Sequence, residues 1–195
     1  MSNAVETIKL KDGTTLNIYQ DTSSFSPREW DNLGTMICFH NRYNLGDEHD
    51  YINKDDYDSF EEMIEDNVKS GDITLPLYLY DHSGLSISTE PFDCRWDSGQ
   101  VGYITISKEK IIKEYGNNDL ATRVNVLRYL KNEVKTYNNF LTGEVYGFTI
   151  TEEETCSLGH THENELESCW GFYGSDHEQS GLYCEAGYKK ENVAW

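Results

Sequence analysis

Proline and basic charge are scarce in this 195-residue chain, and long apolar runs are missing. It has only three prolines, and 16 Lys+Arg face 35 Asp+Glu for a formal charge of −19. A surplus of that size repels phosphate backbones, so nucleic-acid binding is disfavoured overall unless a local basic face exists. No window approaches the roughly 18 consecutive apolar residues of a membrane helix, and no membrane association is expected. Met1 to Val5 has neither the basic nor the apolar region of a secretory signal. Five cysteines, an odd number, favour reduced thiols over a disulfide framework. A soluble, cytoplasmic protein is the expectation. No GxSxG, Walker A loop, GxGxxG, CxxC pair or HExxH helix occurs, so serine-hydrolase, P-loop, Rossmann and common zinc-motif readings have no local support.

Aromatic residues, at 13 % of the chain, can supply the core that the aliphatic residues alone would leave thin. The patterning predicts an α+β protein, a mainly antiparallel sheet built from hairpins with helices packed on one face. Residues 5–20 alternate around Asp12-Gly13, a hairpin with a tight turn. Short strands are expected at 34–40, 73–80, 85–88 and 100–106, the second carrying Pro76 and therefore lying at an edge or bulge. Helices are expected from about 60 to 70, with Phe60, Met63, Ile64 and Val68 inward, and over 107–115, with Ile111, Ile112 and Tyr115 inward. The longest runs over 119–140, where Leu120, Val124, Leu127, Leu130, Val134 and Tyr137 recur at helical spacing. Residues 145–151 and 166–173 read as a second hairpin joined by a polar loop. Ser175 and Glu178 resemble a capping box opening a last helix toward Lys190. No repeat, linker or composition break appears, so residues 1–195 read as a single globular domain.

Charge is segregated along the chain. Residues 41–66 hold ten acids against Arg42 and Lys54, and no Lys or Arg occurs from Thr136 to Tyr188. Residues 108–135 instead hold seven basic residues against four acids. Each cluster reads either as a solvated surface or as a docking face. An acidic face steers toward a basic protein partner, such as a nucleic-acid-handling enzyme.

Four constellations carry chemistry-bearing residues. Cys156, His160, His162 and His177, in a stretch that also holds Cys169 and Cys184, offer donors suited to tetrahedral zinc. Their spacing matches no common finger, and Gly159 to His162 also reads as an exposed hairpin tip. No cofactor is predicted beyond the zinc these donors would suit. Cys38 and His40, on one face of a strand, with His49 nearby, are the candidates for a thiolate–imidazole pair; inert packing of the thiol is the competing reading. Asp81-His82-Ser83 contains triad residue types, but adjacent residues cannot nest as a triad and read as a turn. Arg95, Trp96 and Asp97, a cation and an indole flanked by acids in a loop before a strand, are binding candidates together with Trp170.

Three stretches, 38–48 (CFHNRYNLGDE), 96–104 (WDSGQVGYI) and 168–174 (SCWGFYG), together resemble an uncharacterised family of acidic proteins encoded by bacteriophages and conjugative elements. The resemblance spans about Trp30 to Glu185 and implies a mobile-element accessory protein with no assigned catalytic residue. The leading expectation is therefore a non-enzymatic interaction protein, modulating a host nucleic-acid-handling or defence protein. The alternatives are a metal- or thiol-dependent enzyme, and nucleic-acid binding through the basic helices of 108–135. The oligomeric state is left open.

Overall fold

The computed structural model describes residues 3–94 and 96–194. In chain order the strands are β1 (Glu6–Lys9), β2 (Thr15–Gln20), β3 (Thr35–Cys38), β4 (Ile73–Asp81), β5 (Leu85–Ser88), β6 (Ser98–Ile106), β7 (Val145–Thr155) and β8 (Thr161–Tyr173). The helices are α1 (Phe60–Asn67), α2 (Lys108–Tyr115), α3 (Leu120–Leu141) and α4 (Leu182–Glu185). These elements form an α+β protein with two four-stranded antiparallel sheets. The chain divides into two compact units, a split unit of Met1–Phe25 with Gly143–Trp195 and a central unit of Ser26–Thr142.

In the split unit the strand order is β1-β2-β7-β8. Gly13 (φ 93°) supplies the positive φ of the first turn, and Asp12 accepts a hydrogen bond from the Thr14 amide at 3.0 Å. Alternation puts Leu16, Ile18 and Phe148 on one face, where they pack with Leu182 and Ala186 at the C-terminal end. The helix expected between Ser175 and Lys190 shrinks to the four residues of α4. Asp176 takes the capping role instead, accepting from the amides of Glu178 and Gln179, and Gly181 (φ 86°) then turns the chain before a helix can propagate.

The central unit has the order β3-β6-β4-β5, and both faces of its sheet are covered. Met36 and Ile104, paired across β3 and β6, join the core formed with α2 and α3. Their neighbours Ile37 and Tyr103 face the other way and pack on Met63 of α1. Gly102 makes the β3–β6 contact possible, since a Cβ there would lie 1.9 Å from the Ile37 carbonyl oxygen. Pro76 pairs with Tyr103 on one side only, because β5 begins pairing at Tyr78, and a register shift follows at Leu77/Tyr78. The missing amide of Pro76 therefore costs no ladder bond.

Ser59, Ser107 and Asp119 cap the first three helices, accepting from the amides of Glu62, Lys110 and Thr122. The buried face of α3 is Val126, Leu130, Val134 and Tyr137, whereas Leu120 and Val124 are exposed. At about 100° per residue, Val124 lies about 120° around the axis from Leu130, which takes it off the stripe. Ile112 of α2 is likewise exposed beside the fully buried Ile111.

Candidate functional site

The segment expected as a polar loop between the last two strands is instead paired strand. β7 and β8 remain in register from Glu152↔Asn164 through Thr155↔Thr161, although β2 stops pairing with β7 at Thr151. The result is a two-stranded arm beyond the body of the sheet. Its turn is closed by the Cys156 amide donating to the His160 carbonyl at 2.9 Å and the Gly159 amide donating to the Cys156 carbonyl at 2.9 Å. Gly159, at φ 80°, gives the left-handed residue that a three-residue hairpin loop needs.

That pairing sorts the side chains. Glu154 stands opposite His162 in the register, and Cys156 and His160 close the turn on the same side. The donor atoms of Cys156, His160 and His162 all lie within 4.8 Å of one another. Both imidazoles are exposed and Cys156 is half-buried. Of the four proposed metal donors, the fold thus brings three together. His177 lies elsewhere, its ring edge-on to Tyr146 at 4.8 Å and to Tyr183 at 5.6 Å. Cys169 pairs with Phe148 in the body of the sheet, and Cys184 is in α4.

The arm is also acidic. Glu153, Glu154 and Glu163 on it, and Glu165 and Glu167 on β8 at its base, are all exposed. Glu153 and Glu163 are direct cross-strand partners, a repulsive pairing. At the base of the arm Trp170 lies across the strand, filling the space a Cβ on Gly147 would take, with its ring 6.0 Å from that of Tyr19. Half its surface stays open, at 48 % exposure.

In the central unit, Trp96 is 94 % exposed. Asp97 beside it accepts from the Cys94 thiol at 3.5 Å and lies 3.4 Å from Nδ1 of His82. Phe92 and His82 flank Tyr80, and Asp81 pairs with Arg42. Arg95 lies outside the described residues. The loop carries the indole and the carboxylate, while the imidazole comes from the turn between β4 and β5; Trp170 belongs to the other unit.

Cys38 is buried against Gly46, and burial pushes its thiol up to about 12, with the Asp47 carboxylate adding to the effect. Burial thus favours the protonated thiol at neutral pH, the form that packs rather than the thiolate that attacks. His40 accepts from the Arg42 amide at 3.2 Å and stacks on Tyr43, while His49 contacts the Asp47 carbonyl at 3.0 Å and sits edge-on to Phe39. Among the described residues, no hydrogen bond ties Cys38 to either imidazole.

Around Asp47 lies a network that sequence reasoning missed. Arg28, its side chain only 4 % exposed, forms two 2.7 Å hydrogen bonds to Asp47, one of 3.1 Å to Glu133 and one of 2.8 Å to the Gly34 carbonyl. Burial opposes its charge, but the hydrogen bonds and attraction of Asp47 and Glu133 outweigh this and hold its pKa above the ordinary value. The partners stand 19 and 105 residues away, so no local pattern marks them. Two basic residues of α2 and α3 also serve the fold, Lys110 donating to the Asn32 carbonyl at 2.8 Å and Arg123 to that of Gly71 at 2.6 Å, whereas Lys131 and Glu90 form an exposed pair at 3.3 Å.

No family model matches the chain, and no curated protein or solved structure matches it. No described helix is long and apolar enough to cross a membrane.

Proposed function

We propose that this is an interaction protein whose β7–β8 arm docks a basic, extended segment of another protein. Its role would be that of an acidic accessory factor of the mobile-element kind. The observation that carries the reading is the arm itself, a protruding ribbon with exposed Glu153, Glu154 and Glu163, with two more exposed glutamates, Glu165 and Glu167, at its base and no Lys or Arg in the chain from Thr136 to Tyr188. β8 lies at the edge of its sheet, with one row of backbone groups unpaired by any other described strand. Such an edge can accept one more strand, main-chain hydrogen bonds supplying affinity and side-chain charge supplying selectivity. The glutamates that repel a second copy of this edge attract a lysine- or arginine-rich strand. Exposed Leu166 and Trp170 on the same strand add apolar contact.

The test separates the arm from total charge. A synthetic Lys/Arg-rich peptide is titrated into the full chain, into E153Q/E154Q/E163Q, and into E61Q/E65Q/D66N on the exposed face of α1. The two triple variants change net charge equally. The arm variant is expected to lose at least about tenfold in affinity, about 1.4 kcal/mol, while the α1 variant stays near wild type. Equal losses from both would mean diffuse attraction and would sink the proposal. In the bound complex, amides of β8 are expected to exchange more slowly.

A further inference from the structure

The geometry points to a zinc-binding centre at the tip of the arm, formed by Cys156, His160 and His162, with the fourth position open to water. Three independent observations support it. The first is the donor set, one thiolate and two imidazoles, a borderline-soft combination that suits zinc and not calcium or magnesium, which take oxygen ligands.

The second is geometry. Tetrahedral zinc with sulfur at about 2.3 Å and nitrogen at about 2.0 Å places its ligand atoms roughly 3.3–3.6 Å apart. The three donor atoms already lie within 4.8 Å of one another, so small side-chain rotations close the site without moving the backbone. The turn fixes that backbone through its two 2.9 Å hydrogen bonds. Cys156 binds as the thiolate, releasing its proton, and the imidazoles bind in neutral form.

The third observation is what the arm lacks. From residue 152 to 164 it has only two strands, every side chain but Glu152 and Cys156 exposed, and the like charges of Glu153 and Glu163 directly opposed. A two-stranded ribbon is marginal in water without a packed face. A divalent cation joining Cys156 on one side of the turn to His160 and His162 on the other staples the ribbon. Surrounding carboxylates favour its approach.

This site is independent of the partner-docking proposal, because a metal-free arm still presents its glutamates. The full chain, stripped of metal and kept reduced, is titrated with Zn²⁺ and, as a spectroscopic probe, Co²⁺. One equivalent is expected to bind, Co²⁺ giving tetrahedral visible bands and a thiolate charge-transfer band. C156S should abolish the charge-transfer band. H160A and H162A should each weaken binding by more than the roughly 10–100-fold typical of losing an outer-shell partner. H177A should leave stoichiometry and spectrum unchanged. Zn²⁺ should also slow amide exchange over 152–164. Because C156S, H160A and H162A alter only the arm tip, circular dichroism of each of these in metal-free form should match wild type. Absence of binding would overturn the proposal, and so would binding unaffected by C156S and by H160A/H162A, which is adventitious cation attraction by an acidic surface.

Discussion

Replacing Arg28 should unfasten the central unit. Its guanidinium joins three segments, the 3-10 turn at Pro27–Glu29, the loop holding Asp47, and α3 through Glu133. Truncation to alanine leaves two poorly solvated carboxylates without their cation. Breaking a buried pair in this way costs about 3–5 kcal/mol. Here the lower end applies, because Asp47 retains the Met36 amide at 2.8 Å and Glu133 that of Leu33 at 2.7 Å. A loss of about 3 kcal/mol corresponds to roughly 100-fold faster amide exchange in the most protected residues of β6 and α3. Hydrogen-exchange mass spectrometry of R28A and of R28M, which keeps an unbranched stem, reads this directly. Adding D47N/E133Q to R28M should recover part of the loss, since the penalty comes from stranded charge. An acceleration under about fivefold, near 1 kcal/mol, would refute the view that Arg28 holds these segments together.

Other outcomes follow from packing and titration. Tyr103 is buried with no hydrogen-bond partner for its hydroxyl among the described residues. Y103F should therefore be neutral or stabilising by up to about 1 kcal/mol in urea unfolding, and a clear loss would reveal a partner. G102A, whose Cβ would meet the Ile37 carbonyl oxygen at 1.9 Å, should force β3 from β6 and abolish soluble expression or cooperative melting. G147A should cost about 1–3 kcal/mol and shift tryptophan fluorescence as Trp170 is displaced. Cys38, raised from 9.0 to about 12, keeps its proton in the folded state where the unfolded chain loses it. Stability should thus fall between pH 9 and 12, by at most roughly 1.4 kcal/mol per pH unit from this group. C38A should flatten that slope, and iodoacetamide at neutral pH should label exposed Cys184 well before Cys38.

Local signals were readable wherever a few neighbouring residues settle the backbone. The Asp12-Gly13 turn and the start of the 107–115 helix, which Ser107 caps, each rest on one glycine or one side-chain hydrogen bond. Helical spacing likewise identified α1, with Phe60, Met63, Ile64 and Val68 in one cluster. The same reasoning placed Leu120 and Val124 inward because periodicity shows that a helix has an apolar stripe but not where the sheet cuts it. The acidic arm escaped because its glutamates have low strand propensity and no alternation of apolar with polar residues.

The sequence alone determined the α+β class, the acidic character and the set of possible donors, since these depend on composition and on contacts within a few residues. Tertiary structure decided which donors meet. Cys156, His160 and His162 converge only because β7 and β8 stay in register through the glutamates, while His177 is carried away to Tyr146. Arg28, Asp47 and Glu133 meet only once chain closure brings together segments up to 105 residues apart. Pairings over such distances depend on the burial and register of the whole unit, which no short pattern of residues records.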